Sequence, residues 1–122
     1  MPPHVLVVDD SSLQRTIISG TLGEQFEIVG EAENGREAVE LFESTRPDLV
    51  TMDIMMPEMD GYEAMQKIRE QDRFARLPIL ALTAKAMKDD RAKCIEAGAN
   101  DYCSKPIEMG KLTSLMRVWL PR

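Results

Sequence analysis

Short apolar runs alternate along the chain with segments whose apolar residues recur at helical spacing. Five such runs predict β-strands at residues 5–8, 26–30, 49–52, 79–83 and 101–103. The first run is continuous and rich in β-branched residues, which is typical of a strand buried on both faces of a sheet. Asn34 and Gly35 predict a turn after the second strand. The chain therefore needs apolar cover on both sides of its sheet.

A helical segment follows each of these runs. Apolar residues are predicted to share a helix face in five groups: Leu13, Ile17 and Ile18; Ala38, Val39 and Phe42; Met65 and Ile68; Met87, Ala92 and Ile95; and Leu112, Leu115, Met116 and Trp119. Ser11, Ser12 and Asp60 are candidate N-caps, and Gly98 ends the fourth helix. Strict alternation of strands and helices predicts an α/β fold with a parallel sheet between two helical layers.

The composition limits the class of protein. The chain has 122 residues, of which 43% are hydrophobic and 30% charged. That suits one domain over residues 1–122, with its core at about 4–120 and no output domain. The sequence lacks a membrane span and a signal peptide, so we expect a cytoplasmic protein. Cys94 and Cys103 are expected to be reduced, buried thiols, and His4 is expected at a strand edge.

The net charge of −6 is unevenly distributed along the chain. Acidic residues outnumber basic ones 13 to 3 in residues 1–60, whereas basic residues outnumber acidic ones 12 to 8 in residues 61–122. Negative charge is therefore concentrated in the first half. The positions of these acids relative to the predicted strands indicate what part of this charge could do.

Polar side chains follow four of the five predicted strands, at the edge where open α/β sheets bind ligands. Asp9 and Asp10 follow the first strand, Asp53 the third, Thr83 ends the fourth and Lys105 follows the fifth. Three nearby carboxylates repel one another unless a hard cation such as Mg²⁺ lies among them. A carboxylate beside Mg²⁺ can attack phosphorus, while the ammonium and the hydroxyl stabilise the phosphoryl oxygens. The set predicts phosphoryl transfer to an aspartate.

Four segments carry a resemblance to a known family, and together they cover essentially the whole chain. They are Val7-Val8-Asp9-Asp10, the stretch from Met52 to Gly61, Leu82-Thr83-Ala84, and Tyr102-Cys103-Ser104-Lys105-Pro106. In this order and at these separations, the chain resembles the CheY-like receiver domains of two-component response regulators. The resemblance implies a flavodoxin-like, doubly wound (βα)5 fold with strand order 2-1-3-4-5. That order makes strands one and three neighbours.

The resemblance also implies a role for each site residue. Asp53 is the implied phosphoacceptor, and Mg²⁺, for which Mn²⁺ can substitute, is the implied cofactor. Asp10 would hold the metal directly and Asp9 largely through water, and the backbone carbonyl of Met55 would add a ligand. Lys105 would contact the phosphoryl group, and its bond to the following proline is expected to be cis.

Two further pairs of residues take their expected roles from the family. Thr83 and Tyr102 resemble the switch pair, in which the hydroxyl moves toward the phosphoryl group and the ring turns inward. Met55 and Lys85 flank the path of the hydrolytic water, so we expect them to set the lifetime of the phosphorylated state. The other methionine expectations concern packing: Met65, Met87 and Met116 in the core, with Met55, Met56 and Met59 at the mouth of the site.

The implied partners are a histidine kinase or histidine phosphotransfer domain as donor and a protein target downstream. The target surface in this family is the face made by the fourth helix, the fifth strand and the fifth helix, and Lys85, Lys88, Arg91 and Lys93 are candidates for it. Neither direct nucleic-acid binding nor membrane insertion is expected. A monomer or a weak, phosphorylation-dependent dimer is expected. The chain is similar both to stand-alone receivers and to receivers of hybrid histidine kinases.

Two other functions use parts of the same pattern. A phosphatase of the haloacid dehalogenase type also has an aspartyl nucleophile, Mg²⁺, a hydroxyl and a lysine. It needs a second acid two residues after the nucleophile, where this chain has Met55, and the chain is too short for a cap domain. A flavin mononucleotide binder needs a phosphate loop after the first strand, where Asp9 and Asp10 would repel the phosphate. A phosphoacceptor switch, which is not an enzyme acting on other substrates, fits the pattern better.

Overall fold

Strands and helices alternate along the chain, as its hydrophobic pattern predicts. A computed structural model describes residues 2–56, 59–71, 76–83 and 88–120, and at 88–91 it describes the backbone alone. The strands are β1 (His4–Val8), β2 (Glu27–Ala32), β3 (Leu49–Asp53), β4 (Ile79–Thr83) and β5 (Asp101–Ser104). The helices are α1 (Ser12–Leu22), α2 (Gly35–Thr45), α3 (Gly61–Arg69), α4 (Lys88–Ala97) and α5 (Met109–Trp119). Among the residues described, no helix is long and apolar enough to cross a membrane.

The five strands form one parallel sheet in the order β2-β1-β3-β4-β5, which confirms the predicted flavodoxin-like topology. This order makes β1 and β3 neighbours, with Val8 opposite Met52. The residues that come next, Asp9 and Asp53, therefore lie side by side at the carboxyl edge of the sheet. The topology alone brings together two acids that are far apart in the sequence.

Apolar side chains cover both faces of the sheet. One cluster packs α2, α3 and α4 against one face and includes Leu6 and Val8 of β1. The other packs α1 and α5 against the opposite face and includes Val5 and Val7. Successive residues of a strand point to opposite faces, so residues 5–8 contribute to both clusters. This explains why that run is apolar at every position.

The buried face of α1 differs from the predicted one. Ile18 and Leu22 are buried, but Leu13 is 70% exposed and Ile17 is 46% exposed. A helix turns by about 100° per residue, which puts Leu13 about 140° and Ile17 about 100° away from Ile18. These three residues therefore cannot share one narrow face: the helix that their spacing predicts is found, but only Ile18 of the three lies in the core.

Helix α4 also turns a different face to the sheet. Cys94 and Ala97 are buried, whereas Ala92 is exposed and Ile95 is 43% exposed. The helix that Ala92 and Ile95 predict is therefore found, but these two residues do not form its buried face, and Met87 lies outside the described residues. The two buried residues are small and three positions apart, so they share a face that can lie close to the sheet. The larger Ile95 is left on the side of the helix that faces solvent.

The last helix and the predicted ends of helices agree better with the sequence. In α5, Leu112 and Met116 are buried, as predicted, although Trp119 lies at the exposed margin. Ser11 is the N-cap of α1 and Asp60 the N-cap of α3, and each side chain accepts a hydrogen bond from a backbone N–H in the first turn. Gly98 ends α4 with a φ of 125°, a conformation that side chains with a Cβ rarely adopt.

Two local boundaries differ from the prediction. The second strand is Glu27–Ala32 rather than residues 26–30. Asn34 does not begin a separate turn, because its side chain caps α2 by accepting the N–H of Glu37 at 2.9 Å. Gly35 is then the first helical residue.

Several predictions for single residues are confirmed. Cys94 and Cys103 are buried thiols, and they lie in clusters on opposite faces of the sheet. Met65 is buried in the core, like Met116. His4 begins β1, and the bond between Lys105 and the following proline is cis.

A buried hydroxyl in β3 offers a test of core packing. Thr51 is fully buried, opposite Val7 of β1 and Leu80 of β4. Its Oγ1 has no hydrogen-bond partner among the described residues. A buried hydroxyl without a partner costs roughly 1–3 kcal/mol. We expect Thr51→Val to raise the free energy of unfolding by about 1 kcal/mol, measured by urea denaturation. Thr51→Ser, which keeps the hydroxyl, should not be stabilised, and an unchanged Thr51→Val protein would contradict this account.

Candidate functional site

Three aspartates meet at the carboxyl edge of the sheet. Asp9, Asp10 and Asp53 each offer a carboxylate oxygen, and these oxygens all lie within 4.8 Å of one another. Asp9 and Asp53 are buried, whereas Asp10 is exposed. The site is therefore closed at its base and open to solvent on the side of Asp10. The predicted convergence of these three acids is found.

Asp9 is held in place through its side chain and its backbone. Its Oδ1 accepts the N–H of Ser11 at 2.9 Å, and its Oδ2 lies 3.4 Å from the Nζ of Lys105. Its own N–H donates to the carbonyl of Ala32 in β2 at 3.0 Å. Each oxygen of the Asp9 carboxylate thus has one partner, the Ser11 N–H on one side and the Lys105 ammonium on the other.

Lys105, which follows the edge strand β5, brings a positive charge to the acidic cluster. Its backbone N–H donates to the carbonyl of Thr83 at 2.7 Å, which places the residue directly beyond β5. Its Nζ lies 3.0 Å from Oδ1 of Asp53 and 3.4 Å from Oδ2 of Asp9. Burial by itself lowers the pKa of Lys105, but the hydrogen bond and charge of Asp53 and the charge of Asp9 outweigh it and raise the pKa. The ammonium is therefore firmly protonated.

The surroundings of Asp53 disfavour the ionised form of its carboxyl group. Its pKa is raised from 3.8 to about 6, above all by burial, with further contributions from the negative charge of Asp9 and a hydrogen bond involving Asp10. The hydrogen bond and charge of Lys105 lower the pKa but do not cancel these effects. One ammonium thus compensates only part of the negative charge. The site retains an attraction for a further cation.

The backbone around Asp53 is fixed by its neighbours. The N–H of Ile54 donates to the carbonyl of Leu82 in β4 at 3.1 Å, and the carbonyl of Ile54 accepts the N–H of Gly61 at 2.9 Å. Gly61 begins α3 so close to this strand that a Cβ would lie 2.5 Å from the carbonyl oxygen of Asp53. A glycine is needed there because of this close approach. The loop after β3 is thereby tied to both β4 and α3.

The predicted switch residues, Thr83 and Tyr102, lie on neighbouring strands and on different rungs of the sheet. Thr83 is buried at the end of β4, opposite Ser104 of β5. Tyr102 is opposite Ala81, two rungs earlier, and its partly buried ring packs against the cluster under α2, α3 and α4. The structure therefore places Thr83 at the carboxyl end of β4 and Tyr102 within β5.

The predicted methionine mouth of the site is only partly found. Met55 is 64% exposed beyond β3, which leaves it accessible beside the site. Met56 is buried and Met59 partly buried, and both pack in the core cluster instead. The prediction for these two is wrong because the chain turns inward toward α2: the carbonyl of Met59 accepts the N–H of Gly35 at 2.9 Å. Lys85 lies outside the described residues.

The donor set suits Mg²⁺. Three carboxylates at this separation are the oxygen ligands that a small divalent cation prefers, and solvent on the side of Asp10 leaves room for its water ligands. Burial and, to a lesser extent, the charge of Asp9 raise the pKa of Asp53, and a bound cation would oppose both effects by favouring the ionised carboxylate. The residues present therefore fit the predicted cofactor.

One polar residue of this region was not predicted from the sequence. The guanidinium of Arg15 in α1 donates through its Nη1 to the carbonyl of Asp9 at 2.6 Å. Arg15 lies three and seven residues before Ile18 and Leu22, which places it on the buried face of α1. An arginine at that spacing was the available signal. The apolar pattern alone does not reveal it, because Leu13, Ile17 and Ile18 do not define one buried face.

Comparison with known proteins decides among the families that the sequence left open. Residues 5–117 match the family model of the response regulator receiver domain. The chain belongs to the response regulator receiver family. A CheY chemotaxis protein from Halobacterium salinarum is 44% identical over 108 residues, which are 88% of this chain and 88% of that protein. The chain is accordingly a CheY-like receiver domain of two-component signalling, and its family is neither that of the dehalogenase-type phosphatases nor that of the flavin binders.

Solved receiver structures agree with this assignment. The Vibrio cholerae chemotaxis protein CheY4 superposes with a TM-score of 0.92 at 30% identity, covering 98% of this chain and 100% of that one. The receiver domain of the sensor histidine kinase PA1611 from Pseudomonas aeruginosa PAO1 has a TM-score of 0.89 at 36% identity and covers 98% of each chain. That receiver is described with a magnesium ion coordinated in its active site cleft.

Proposed function

We propose that this receiver is a phosphorylation-activated switch in which Asp53 accepts a phosphoryl group from a phosphohistidine donor in a Mg²⁺-dependent reaction. The observation that carries the proposal is the convergence of Asp9, Asp10 and Asp53 on one point, with the ammonium of Lys105 against two of them. Structural ion pairs need one acid for each base. An excess of acids around one lysine at the ligand edge of the sheet points instead to a cation and an anionic substrate.

The chain's own residues supply the groups that the transfer needs. An oxygen of ionised Asp53 forms the new bond to phosphorus while the bond from phosphorus to the donor imidazole breaks, and the imidazole then takes up a proton from water. In the proposed reaction Lys105 neutralises a phosphoryl oxygen once Asp53 has reacted, and the hydroxyl of Thr83 donates to another. Catalysis then consists of positioning and electrostatic stabilisation.

Asp10, Asp53 and the backbone carbonyl of Met55 are the proposed direct ligands of Mg²⁺, with Asp9 acting through water. When bound, Mg²⁺ offsets the charge of the carboxylates and of the phosphoryl oxygens. Mn²⁺, which prefers similar oxygen ligands, is expected to substitute. Met55, exposed two residues beyond the acceptor, is also the proposed residue that tunes phosphate loss, together with Lys85.

The proposed output is a shift between two conformations of the α4-β5-α5 face. Phosphorylation adds negative charge and new hydrogen-bond acceptors at Asp53, which favour the state in which Thr83 and Tyr102 turn toward the site. Of the basic residues predicted on this face, Lys93 is exposed on α4. Lys85 and the side chains of Lys88 and Arg91 lie outside the described residues.

The proposed partners are a histidine kinase or histidine phosphotransfer domain and a downstream protein, with the receiver acting as a monomer or a weak, phosphorylation-dependent dimer. The relatives support both origins considered above, since a CheY protein and the receiver of a sensor histidine kinase both match nearly the whole chain. We place the exchange in the cytoplasm. Two buried thiols suit a reducing compartment.

A mass measurement tests the proposal directly. We expect incubation with acetyl phosphate to add one phosphoryl group in Mg²⁺ and none in EDTA, and beryllofluoride to change the fluorescence of Trp119 only when Mg²⁺ is present. Asp53→Asn should abolish the mass gain, whereas Asp60→Asn, which keeps a good helix cap outside the cluster, should react like wild type. A full mass gain in Asp53→Asn would refute the assignment of the acceptor.

A further inference from the structure

The buried face of α1 carries Arg15, whose side chain reaches the segment after β1 that contains Asp9 and Asp10. The side chain of Arg15 is only 16% exposed. Its Nη1 donates to the carbonyl of Asp9 at 2.6 Å, and its Nε lies 3.6 Å from Oε1 of Glu31 in β2. A half-buried guanidinium that bridges a main-chain carbonyl and a carboxylate is fixed at two points.

These contacts close a ring around the first aspartate. The N–H of Asp9 donates to the carbonyl of Ala32, the residue that follows Glu31 in β2. Arg15 joins Glu31 back to the carbonyl of Asp9. Both backbone groups of Asp9 are thereby tied to the same edge strand, one directly and one through the arginine.

The carbonyl that Arg15 holds belongs to the peptide unit between Asp9 and Asp10. A peptide unit is planar, so fixing the direction of its carbonyl also fixes the direction in which the chain continues into Asp10. Asp10 is exposed and lies outside the sheet, so the ladder bonds of β1 do not hold it. Its orientation toward Asp53 therefore depends on how this peptide unit is held.

We infer that Arg15 is a positioning residue for the cation site, holding the peptide between Asp9 and Asp10 so that both carboxylates face Asp53. This inference rests on the proposed Mg²⁺-dependent function. Arginine suits the task because its planar fork can serve two acceptors at once, whereas the single ammonium of lysine is a point charge on a flexible stem. Glu31 acts through Arg15 by fixing the plane of the guanidinium.

Calorimetric titration with Mg²⁺ separates positioning from charge. We expect Arg15→Lys to weaken Mg²⁺ binding about 10-fold, as is common when a group that orients metal ligands is lost, and Glu31→Gln to weaken it less. Arg117→Lys is the matched control, because Arg117 contacts the side chain of Gln25 on the surface, away from the cluster. If Arg15 acted by charge alone, Arg15→Lys would bind like wild type and Arg15→Gln would bind Mg²⁺ more tightly. Either result would overturn the inference.

Hydrogen exchange in EDTA provides a readout that does not need the metal. The Ser11 amide is protected by its bond to the Asp9 carboxylate, so we expect its exchange to speed up in Arg15→Lys while the amides of β1 exchange as in wild type. Faster exchange throughout β1 would mean general destabilisation, and unchanged exchange at Ser11 would mean that Arg15 does not hold the loop. Both would contradict the positioning role. If wild type bound no Mg²⁺, the proposed function would fail, while local exchange would still decide the role of Arg15.

Discussion

Asp53→Asn is expected to make the metal-free protein more stable than wild type at pH 7, by about 2 kcal/mol. The cause is the environment that raises the pKa of Asp53 to about 6. At neutral pH the folded protein must keep this carboxylate ionised in a buried place beside Asp9, and Lys105 offsets only part of the penalty. An amide of the same shape carries no charge and avoids it.

The pH dependence of this effect has a definite sign. The pKa of Asp53 is about 6 in the folded protein and 3.8 when unperturbed, so between about pH 4 and 6 the folded state holds more protons than the unfolded state. The stability contributed by Asp53 is therefore present below about pH 4 and is lost as the pH rises through 6. The advantage of Asp53→Asn should be small at pH 4.5 and largest at pH 7. An advantage that is equal at both pH values would contradict this.

Urea denaturation in EDTA and in Mg²⁺ measures both parts of this expectation. If Mg²⁺ binds the folded state as proposed, it should stabilise that state in proportion to the logarithm of its concentration over the dissociation constant. Wild type should gain more stability than Asp53→Asn, which lacks one of the proposed ligands, so the difference in stability between the two proteins should narrow or reverse in high Mg²⁺. Asp60→Asn controls for the exchange of aspartate for asparagine and should follow wild type in every condition.

The sequence predicts the site better than it predicts the helix faces, and the reason is geometric. Asp9, Asp53, Thr83 and Lys105 each follow or end a strand, and strand ends in a parallel sheet meet at one edge. Knowing five strands and their order is then enough to place these side chains together. No further knowledge of side-chain packing is needed.

Helix faces depend on packing that a single sequence does not specify. In α1 the apolar residues 13, 17 and 18 spread too far around the helix to define one face. The face that is buried carries Ile18 and Leu22 together with the polar Arg15. In α4 the small residues Cys94 and Ala97 face the sheet in place of Ile95. The same ambiguity concealed Arg15, because its role shows only when the buried face is known.

Gly61→Ala is expected to lower the free energy of unfolding by about 3 kcal/mol and to weaken the cation site with it. A Cβ at this position would lie 2.5 Å from the carbonyl oxygen of Asp53 and 2.8 Å from the Cα of Ile54. Both atoms belong to the backbone, so neither can swing aside as the end of a flexible side chain could. Relief requires α3 to move away from the end of β3, and that movement would break the 2.9 Å bond from the Gly61 N–H to Ile54.

Helix propensity opposes this effect and so sharpens the test. Alanine is favoured over glycine within a helix by about 1 kcal/mol. A loss of stability in Gly61→Ala must therefore come from the close approach of α3 to β3. Gly20 in α1 is the matched control, because nothing lies within 4 Å of a Cβ built there. Gly20→Ala should therefore be stabilised by about 1 kcal/mol and bind Mg²⁺ like wild type.

Urea denaturation and Mg²⁺ titration of both variants test this expectation. If Gly61→Ala were as stable as wild type, α3 would not be packed against Asp53 as closely as the structure shows. If it were destabilised but kept wild-type Mg²⁺ affinity, the approach of α3 would support the fold without orienting the acceptor.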